Sequence, residues 1–407
     1  MTGFVEGYIV PFALLLRAGG MEIGLLRSLP ALVGALTQVR AADIVNFVGS
    51  RKAVVTACAL VQVVCLLLMA GCVFLERDAA LWTFVLLVVL FTTAGTLSGP
   101  PWTSMMGEYL PPSKRGEFLG WRSRLVGISL TGFSLLGGFI LAFSGDGRGR
   151  GFALLFLAAA GARLASWMQL RRMHEPSRSA SPQEGFSFYR FLRKTPSSNF
   201  ARFTLTCALL MFGTHLSSPF FAPYMIEQLG LGYIKYTVVI SAGTFALYTS
   251  MSRWGRWADY LGGISVVRSG MVMIPLIPLL WCATANPIWL AFFEVFSGFA
   301  WAAYGMGTGT FLYDAVSPEK RTRCAAYFAA TIGLAQCLGA VTGGWLYENL
   351  PAVGGSSFYP LLVLSAAGRL AAALVFIYSV SEVRPVPRPR RRHLMLAIIG
   401  FRPLFYR

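Results

Sequence analysis

The chain has 407 residues, of which 56% are hydrophobic and 13% are charged, and its mean hydropathy is +0.61. Soluble domains are about 25% charged, so this composition excludes an ordinary soluble globule and predicts a protein that has lipid as part of its solvent. The net charge of +18 does not indicate a nucleic-acid-binding protein, because the basic residues are distributed between apolar runs and do not cluster on one soluble face.

Twelve apolar runs follow one another along the chain, and each except the first is long enough for a membrane-spanning helix of about 20 residues. The predicted limits of the runs are 2–17, 23–41, 53–75, 80–106, 121–144, 152–170, 203–228, 236–254, 265–285, 288–313, 324–347 and 357–380. The first run has only about 16 residues before Arg17. We expect either that the true start lies upstream of Met1 or that this helix is short and thins the bilayer.

Two of the loops between apolar runs share a glycine motif. Between the second and third runs a partial copy has Asn46 and Gly49, and between the eighth and ninth runs Gly255, Asp259 and Gly262 complete the pattern Gly-x-x-x-Asp-x-x-Gly. This pattern resembles the cytoplasmic loop signature of the major facilitator superfamily, which lies between spans two and three and recurs between spans eight and nine. The resemblance implies an all-α integral membrane fold of twelve transmembrane helices in two six-helix bundles, and a secondary transporter.

Further matches between the halves support this plan. The run Pro-Ser-Lys-Arg at 112–115 matches Pro-Glu-Lys-Arg at 318–321, and Arg163 in the sixth run matches Arg369 in the twelfth at the same offset. Parallel repeats related by an axis along the membrane normal are typical of this superfamily. The predicted domains are listed in chain order: an N-terminal six-helix bundle at 1–170, a cytoplasmic linker at 171–202, a C-terminal six-helix bundle at 203–380 and a basic cytoplasmic tail at 381–407.

The distribution of lysine and arginine predicts the orientation. If both termini are cytoplasmic, the inner segments hold 27 of the 35 basic residues and the outer segments hold 5. An excess of basic residues in cytoplasmic loops orients membrane proteins, so we predict a multi-pass protein of the cell inner membrane with both ends in the cytoplasm.

Ionisable groups inside the spans are costly to bury and often mark functional sites. In the superfamily the first, fourth, seventh and tenth helices line a central cavity, and the resemblance places Glu6, His215 and Glu294 on three of these helices. Glu6 could instead lie in a water-exposed start of the chain, His215 could be a neutral imidazole bonded to hydroxyls, and Glu294 could pair with Arg27. Aromatic and hydroxyl groups could add to the cavity lining, or could serve helix packing: Trp102, Thr103 and Tyr304.

A second predicted set forms gates or scaffolds at the cytoplasmic loops: Asn46, Gly49, Arg51, Glu108, Arg115, Gly255, Asp259, Gly262, Asp314 and Arg321. Within this set Glu108 and Asp314 lie beside loop arginines, and we interpret them as members of salt bridges. The repeated pair Arg163 and Arg369 falls on helices that are peripheral in this fold. We expect both arginines to have a structural role, with backbone carbonyls or lipid phosphates as partners.

The remaining patterns favour transport over catalysis. The seven cysteines lack metal-site spacing, no phosphate-binding loop is present, and no catalytic pair falls in the spans, so we predict no metal, no cofactor and no enzyme. The prediction is a monomeric secondary transporter that moves a small solute by alternating access in contact with membrane lipid, with protons as the candidate coupling ion and no nucleic-acid partner. Two alternatives stay open, a non-transporting receptor or scaffold of the same fold and a pump that exports amphipathic compounds.

Overall fold

The computed structural model describes residues 1–109, 115–144, 149–175, 198–316 and 318–383. Most of the predicted linker and tail, and the loop residues 112–114, lie outside this part of the chain. The described residues are helical, apart from connecting segments and one isolated β-bridge between Val353 and Ser356.

Twelve main helical segments succeed one another within the described ranges. Their bounds are α1 Thr2–Leu15, α2 Gly20–Val39, α3 Arg51–Phe74, α4 Arg77–Tyr109, α5 Arg115–Phe143, α6 Arg150–Arg172, α7 Asn199–Gln228, α8 Tyr233–Leu261, α9 Gly263–Cys282, α10 Pro287–Asp314, α11 Pro318–Asn349 and α12 Phe358–Ser379. Among the described residues, nine of these segments are long and apolar enough to cross a membrane. Of the other three, α1 is shorter, and α2 and α8 are less apolar.

Glycines with left-handed backbones end the helices at both copies of the motif. A short helix, Ala41–Val48, follows α2 and ends at Gly49, whose φ is 78°. In the second copy α8 continues through Gly255 and Asp259 to Leu261, and it stops only at Gly262, whose φ is 85°. The stretch predicted as a loop is therefore mostly helix, because Gly262 is the residue that can adopt the positive φ without steric cost.

Two prolines of α7 lie where its helix geometry changes. In α7 the regular α-helix ends at Ser217, a 3₁₀ turn follows at Ser218–Phe220, and a π-helical turn covers Tyr224–Gln228. Pro219 and Pro223 lie in this stretch, where they supply no backbone N–H to the helical ladder. The departure from regular α-helix therefore lies in the part of α7 that follows His215.

The helices pack as two halves. In the N-terminal half α3 packs against α4 and α6, and α2 packs against α4; in the C-terminal half α10 packs against α8 and α9, and α7 packs against α11 and α12. The halves meet along two seams, α2 against α11 and α5 against α8. Small residues allow the first seam to close, since a Cβ atom on Gly24 would lie 2.6 Å from the carbonyl oxygen of Ala340.

Candidate functional site

Five ionisable residues lie at similar depth in the transmembrane part of the protein: Glu6 on α1, Arg27 on α2, His215 on α7, Glu294 on α10 and Arg369 on α12. We call the end of the protein that carries Gly49 and Gly262 the motif end, and the other end the opposite end. Three of these residues lie about 10–16 Å from the opposite end, counted along their own helices. They are Arg27 on α2, Glu294 on α10 and Arg369 on α12.

Hydrogen bonds to α5 and α8 fix the position of α1. The hydroxyl of Tyr8 donates to the carbonyl oxygen of Ser134 at 2.5 Å and lies 3.0 Å from the hydroxyl of Thr237. The hydroxyl of Tyr236 donates to the carbonyl oxygen of Gly7 at 2.7 Å. These bonds hold the turn that follows Glu6 between the two halves, while the Glu6 side chain remains exposed.

His215 is half-buried and bonded to its own helix. Its Nδ1 lies 3.0 Å from the carbonyl oxygen of Met211, which can only accept, so we assign the proton to Nδ1 and leave Nε2 as the second polar atom of the ring. A Cβ atom on Gly339 would lie 3.1 Å from the Cβ of His215, so α11 passes close to this turn of α7. The hydrogen-bond partner of the His215 ring is therefore a backbone carbonyl and not one of the nearby hydroxyls considered from the sequence.

Arg27 is directed toward other helices of the protein. It lies close enough to Glu6, His215 and Tyr236 to interact with all three electrostatically, although its side chain is not covered by them and remains exposed. These three residues belong to α1, α7 and α8, which come from both halves. Among the described residues Arg27 makes no ion pair within 4 Å, and the pairing with Glu294 considered from the sequence is not formed.

Arg369 is buried within the C-terminal half and is 2% exposed. It donates to the hydroxyls of Ser365 and Ser217 at 3.1 Å each, and to the carbonyl oxygens of Thr214 and Ile274 at 3.4 Å each. These bonds join α7, α9 and α12. The expected structural role with carbonyl partners therefore describes what Arg369 contacts, although the side chain lies inside the half and not at its periphery.

Glu294 belongs to the same buried region. A Cβ atom on Gly243 would lie 2.6 Å from its Oε2, and Arg369 lies within electrostatic range. The indole of Trp281, which is fully buried, lies beside Glu294. Glu294 therefore faces the interior of the C-terminal half, with Arg369 as its nearby cation.

The three predicted lining residues have different surroundings. The guanidinium of Arg122 lies over the ring of Trp102, 4.4 Å from its centroid. The exposed Thr103 donates to the carbonyl oxygen of Gly99 at 2.9 Å. Tyr304 is buried, 7% exposed, so it packs in the core of the C-terminal half and does not lie on an open wall.

Arg51 is the centre of the charge network at the motif end. It donates to both carboxylate oxygens of Glu108, at 2.7 and 2.9 Å, and its backbone N–H donates to Glu175 at 2.7 Å. The hydroxyl of Ser50 also donates to Glu175. The salt bridge predicted for Glu108 is present, and Glu175 is a member of the network that sequence reasoning missed.

Glu382 makes the corresponding contact in the C-terminal half. It accepts a hydrogen bond from the backbone N–H of Ile264 at 2.8 Å, at the start of α9. Glu175 and Glu382 each follow the last helix of their half and bind the N-terminus of its third helix. Their offset of 207 residues is close to the repeat interval and was the signal that could have identified them.

The other predicted gate residues have different surroundings. Asp259 and Asp314 are exposed, and neither makes an ion pair among the described residues. Gly255 approaches the side chain of Met306. Asn46 is exposed on the short helix Ala41–Val48. The side chains of Arg115 and Arg321 lie outside the part of the structure that is described.

The two acidic groups of the motif-end network have lowered pKa values. Hydrogen bonds from Arg51 are the main cause at Glu108. At Glu175 burial alone would raise the pKa, but hydrogen bonds from Ser50 and from the backbone N–H of Arg51 outweigh it. Both carboxyls are therefore held in the charged form, which the Arg51 side chain, 7% exposed, requires as a counter-charge.

We expect Glu108→Gln to lower the melting temperature at neutral pH and to have little effect in acid. A carboxyl whose pKa is lowered by folding contributes stability above its ordinary pKa, and loses it as the pH falls through the lowered value. The measurement is the melting temperature in detergent of both proteins from about pH 7 to about pH 3. The control is Asp259→Asn, an exposed carboxyl at the same end; a pH-independent gap for Glu108→Gln would contradict the prediction.

Comparison with known proteins places this arrangement among transporters. The sequence model of the Major Facilitator Superfamily matches residues 1–274 and 203–406. A curated relative named "Probable efflux pump gsfJ", from Penicillium aethiopicum, is 30% identical over 155 residues, which are 37% of this chain. The chain spans about a quarter of that relative, because the match covers 26% of its length.

Three solved structures share the fold across almost the whole chain. A mutant of the nucleoside transporter NupG has a TM-score of 0.72 at 14% identity, covering 93% of this chain and 96% of its own. A bacterial homolog of the human lysosomal transporter Spinster has a TM-score of 0.67 at 16% identity, covering 94% and 95%. The xylose transporter XylE from E. coli has a TM-score of 0.62 at 13% identity, covering 94% and 100%. At these low sequence identities, the three matches show that the folds are alike and nothing about the substrate of this chain.

Proposed function

The chain belongs to the major facilitator superfamily of secondary transporters, and on this premise we propose that it moves a small solute across the membrane by alternating access. The observation that carries the proposal is that Glu6 and His215, on helices of different halves, both lie within electrostatic range of Arg27. Charged groups at such a depth are costly unless they are used for binding or coupling.

Contacts between the halves support movement about the central site. Tyr8 with Thr237, Tyr236 with Gly7, and the backbone N–H of Met21 with Glu348 at 2.8 Å connect the halves on the side of the opposite end. We propose that these contacts break when the site opens toward the opposite end, while the motif end closes. In such rocking each half keeps its own packing and only the seams change.

The proposed setting follows from the charge distribution. We place the motif end in the cytoplasm, with both termini there, in the cell inner membrane, because the basic residues concentrate in the loops of that end. Domain limits of 1–170 and 203–380 agree with the packing of helices into two halves. The proposed transporter acts as a monomer surrounded by lipid.

We further propose that protons drive transport through Glu6, His215 or both. The surroundings of a carboxylate or an imidazole can shift its pKa, so that the group takes up a proton within the pH range that cells experience. A change of charge on either group alters its interaction with Arg27, which lies beside both. Protonation can therefore favour one of the two access states.

We expect an imposed pH gradient to accelerate flux in proteoliposomes, and Glu6→Gln or His215→Ala to reduce the gradient-driven part at least about tenfold, equivalent to about 1.4 kcal/mol of coupling. The labelled compounds are chosen by a thermal-shift screen of small metabolites, and empty liposomes give the background. Glu76→Gln, an exposed carboxyl between α3 and α4, is the matched control. Flux that ignores the gradient in the wild type would contradict proton coupling, and flux equal to empty liposomes for every compound would contradict transport.

Export is the second candidate direction. The 30% identical relative is named as an efflux pump, although the match covers 26% of that protein. Right-side-out and inside-out vesicles loaded with the same labelled compound separate import from export. A faster loss from right-side-out vesicles supports export.

A further inference from the structure

Arg27 and His215 flank the same stretch of α11. The carbonyl oxygen of Ala340 packs against Gly24, which lies one helical turn before Arg27, and the neighbouring Gly339 packs against the carbonyl group of Phe212 and the Cβ atom of His215. Helix α2 therefore carries Arg27 to the level of the imidazole, on the side where the two halves meet. A lipid-facing arginine at this depth would not lie within electrostatic range of α1, α7 and α8.

Glu6 is held at the same junction from the other side. Gly7 packs against Ile240, where an added Cβ atom would lie 2.9 Å from the side chain, and its carbonyl oxygen accepts from Tyr236. Glu6 and Arg27 are both exposed, and they interact electrostatically. Among the described residues they form no ion pair within 4 Å, so neither charge is neutralised by direct contact with the other.

The other charged groups of the interior have partners of their own. Arg369 is hydrogen-bonded to four groups and lies near Glu294, and Arg122 lies over the Trp102 ring. Of these described residues, Arg27 and Glu6, on neighbouring helices of the N-terminal half, are the two without a partner in direct contact. An unpaired charge at this depth of a membrane-spanning protein is costly, and a ligand of opposite charge relieves that cost.

We propose that the space between the halves binds a small zwitterionic solute, with its carboxylate on Arg27 and its ammonium group on Glu6. This inference rests on the proposed transport function and names the substrate class of the same site. The guanidinium can hold a carboxylate through two parallel hydrogen bonds, and the carboxylate of Glu6 accepts from an ammonium group. His215, through Nε2, offers a further polar group for a substituent of the solute.

A solute of one charge fits the site less well. A simple organic acid satisfies Arg27 but lies against the negative charge of Glu6, and a simple amine does the reverse. Since Glu6 and Arg27 do not neutralise each other by direct contact, a solute with both charges can lie between them. The site therefore discriminates by the pair of charges and not by either charge alone.

The test measures binding to the purified full chain in detergent at neutral pH, so that it is independent of transport. The probes are the L-amino acids and the ω-amino acids from glycine to 6-aminohexanoate, each compared with the acid and the amine of the same carbon skeleton. We expect at least one zwitterion to bind at least about tenfold more tightly than its acid and its amine. We expect Arg27→Gln to shift the preference toward the amine, Glu6→Gln to shift it toward the acid, and Arg27→Lys to retain the zwitterion.

Opposite shifts in the two variants cannot come from a folding defect, which would weaken all three probe classes together. Glu76→Gln is the control substitution. Every variant is also checked for monodisperse elution in size-exclusion chromatography. Equal binding of acid, amine and zwitterion, or binding of none of the probes, would overturn the zwitterion site. If a zwitterion binds as expected but is not moved into proteoliposomes, the proposed transport fails and the binding site stands.

Discussion

Arg369→Met is expected to destabilise the protein by about 3–5 kcal/mol, because it removes the cation that bonds to three helices and leaves Glu294 in the interior without its neighbour. The measurement is the melting temperature and the denaturant midpoint of the purified protein in detergent. Adding Glu294→Gln to Arg369→Met should recover part of the loss, since the uncompensated charge is then also removed.

The repeat supplies the matched control for this arginine. Arg163 occupies the related position on α6, but it is half-buried and its side chain donates to Ser166 at 3.4 Å. Arg163→Met should therefore cost less than about 1 kcal/mol, in the range of an exposed polar contact. Equal losses for Arg163→Met and Arg369→Met would show that the bonds of Arg369 do not set the stability of the C-terminal half.

Gly298→Leu should have the second large effect, by separating α8 from α10. A Cβ atom at Gly298 would lie against the carbonyl oxygen of Gly243 and 2.8 Å from the backbone nitrogen of Leu247. Backbone atoms cannot rotate away as a side-chain end can, so the two helices must move apart. We expect a loss of about 3 kcal/mol, at the upper end for overpacked sites, seen as a lower melting temperature and a lower yield of monodisperse protein.

Gly161→Leu on α6 is the control for that substitution. No atom lies within 4 Å of a Cβ atom built at Gly161, and the residue is exposed. Leucine is a better helix former than glycine by up to about 1 kcal/mol, so this variant should be as stable as the wild type or slightly more stable. A similar loss in both variants would mean that glycine is needed for reasons other than the crossing of α8 and α10.

Much of the fold could be predicted because its signals are local. Apolar runs, Gly49 and Gly262 place the helices and two of their ends, and the placement of basic residues predicts the orientation. The extension of α8 through Asp259 was missed, because charged residues in a membrane protein suggest a loop even where the backbone continues as helix. Helix propensity alone gives no stop before Gly262.

The candidate site was predicted less completely, because its contacts join distant parts of the chain. Glu6 and His215 were found as rare ionisable groups in apolar runs, but Tyr8 and Tyr236 are common residue types whose roles depend on α1 meeting α8. Arg27 was considered as a partner of Glu294, since nothing in the sequence states which face of α2 packs against α11. Only the arrangement of the helices brings it within electrostatic range of Glu6 and His215.

The positions of Glu175 and Glu382 also bear on how each half moves. Each of these residues fastens the last helix of its half to the third helix, through a hydrogen bond from the backbone N–H at the start of that helix. The two fastened helices therefore move as one piece in the proposed rocking. The contacts that must change are those of the seams between α2 and α11 and between α5 and α8.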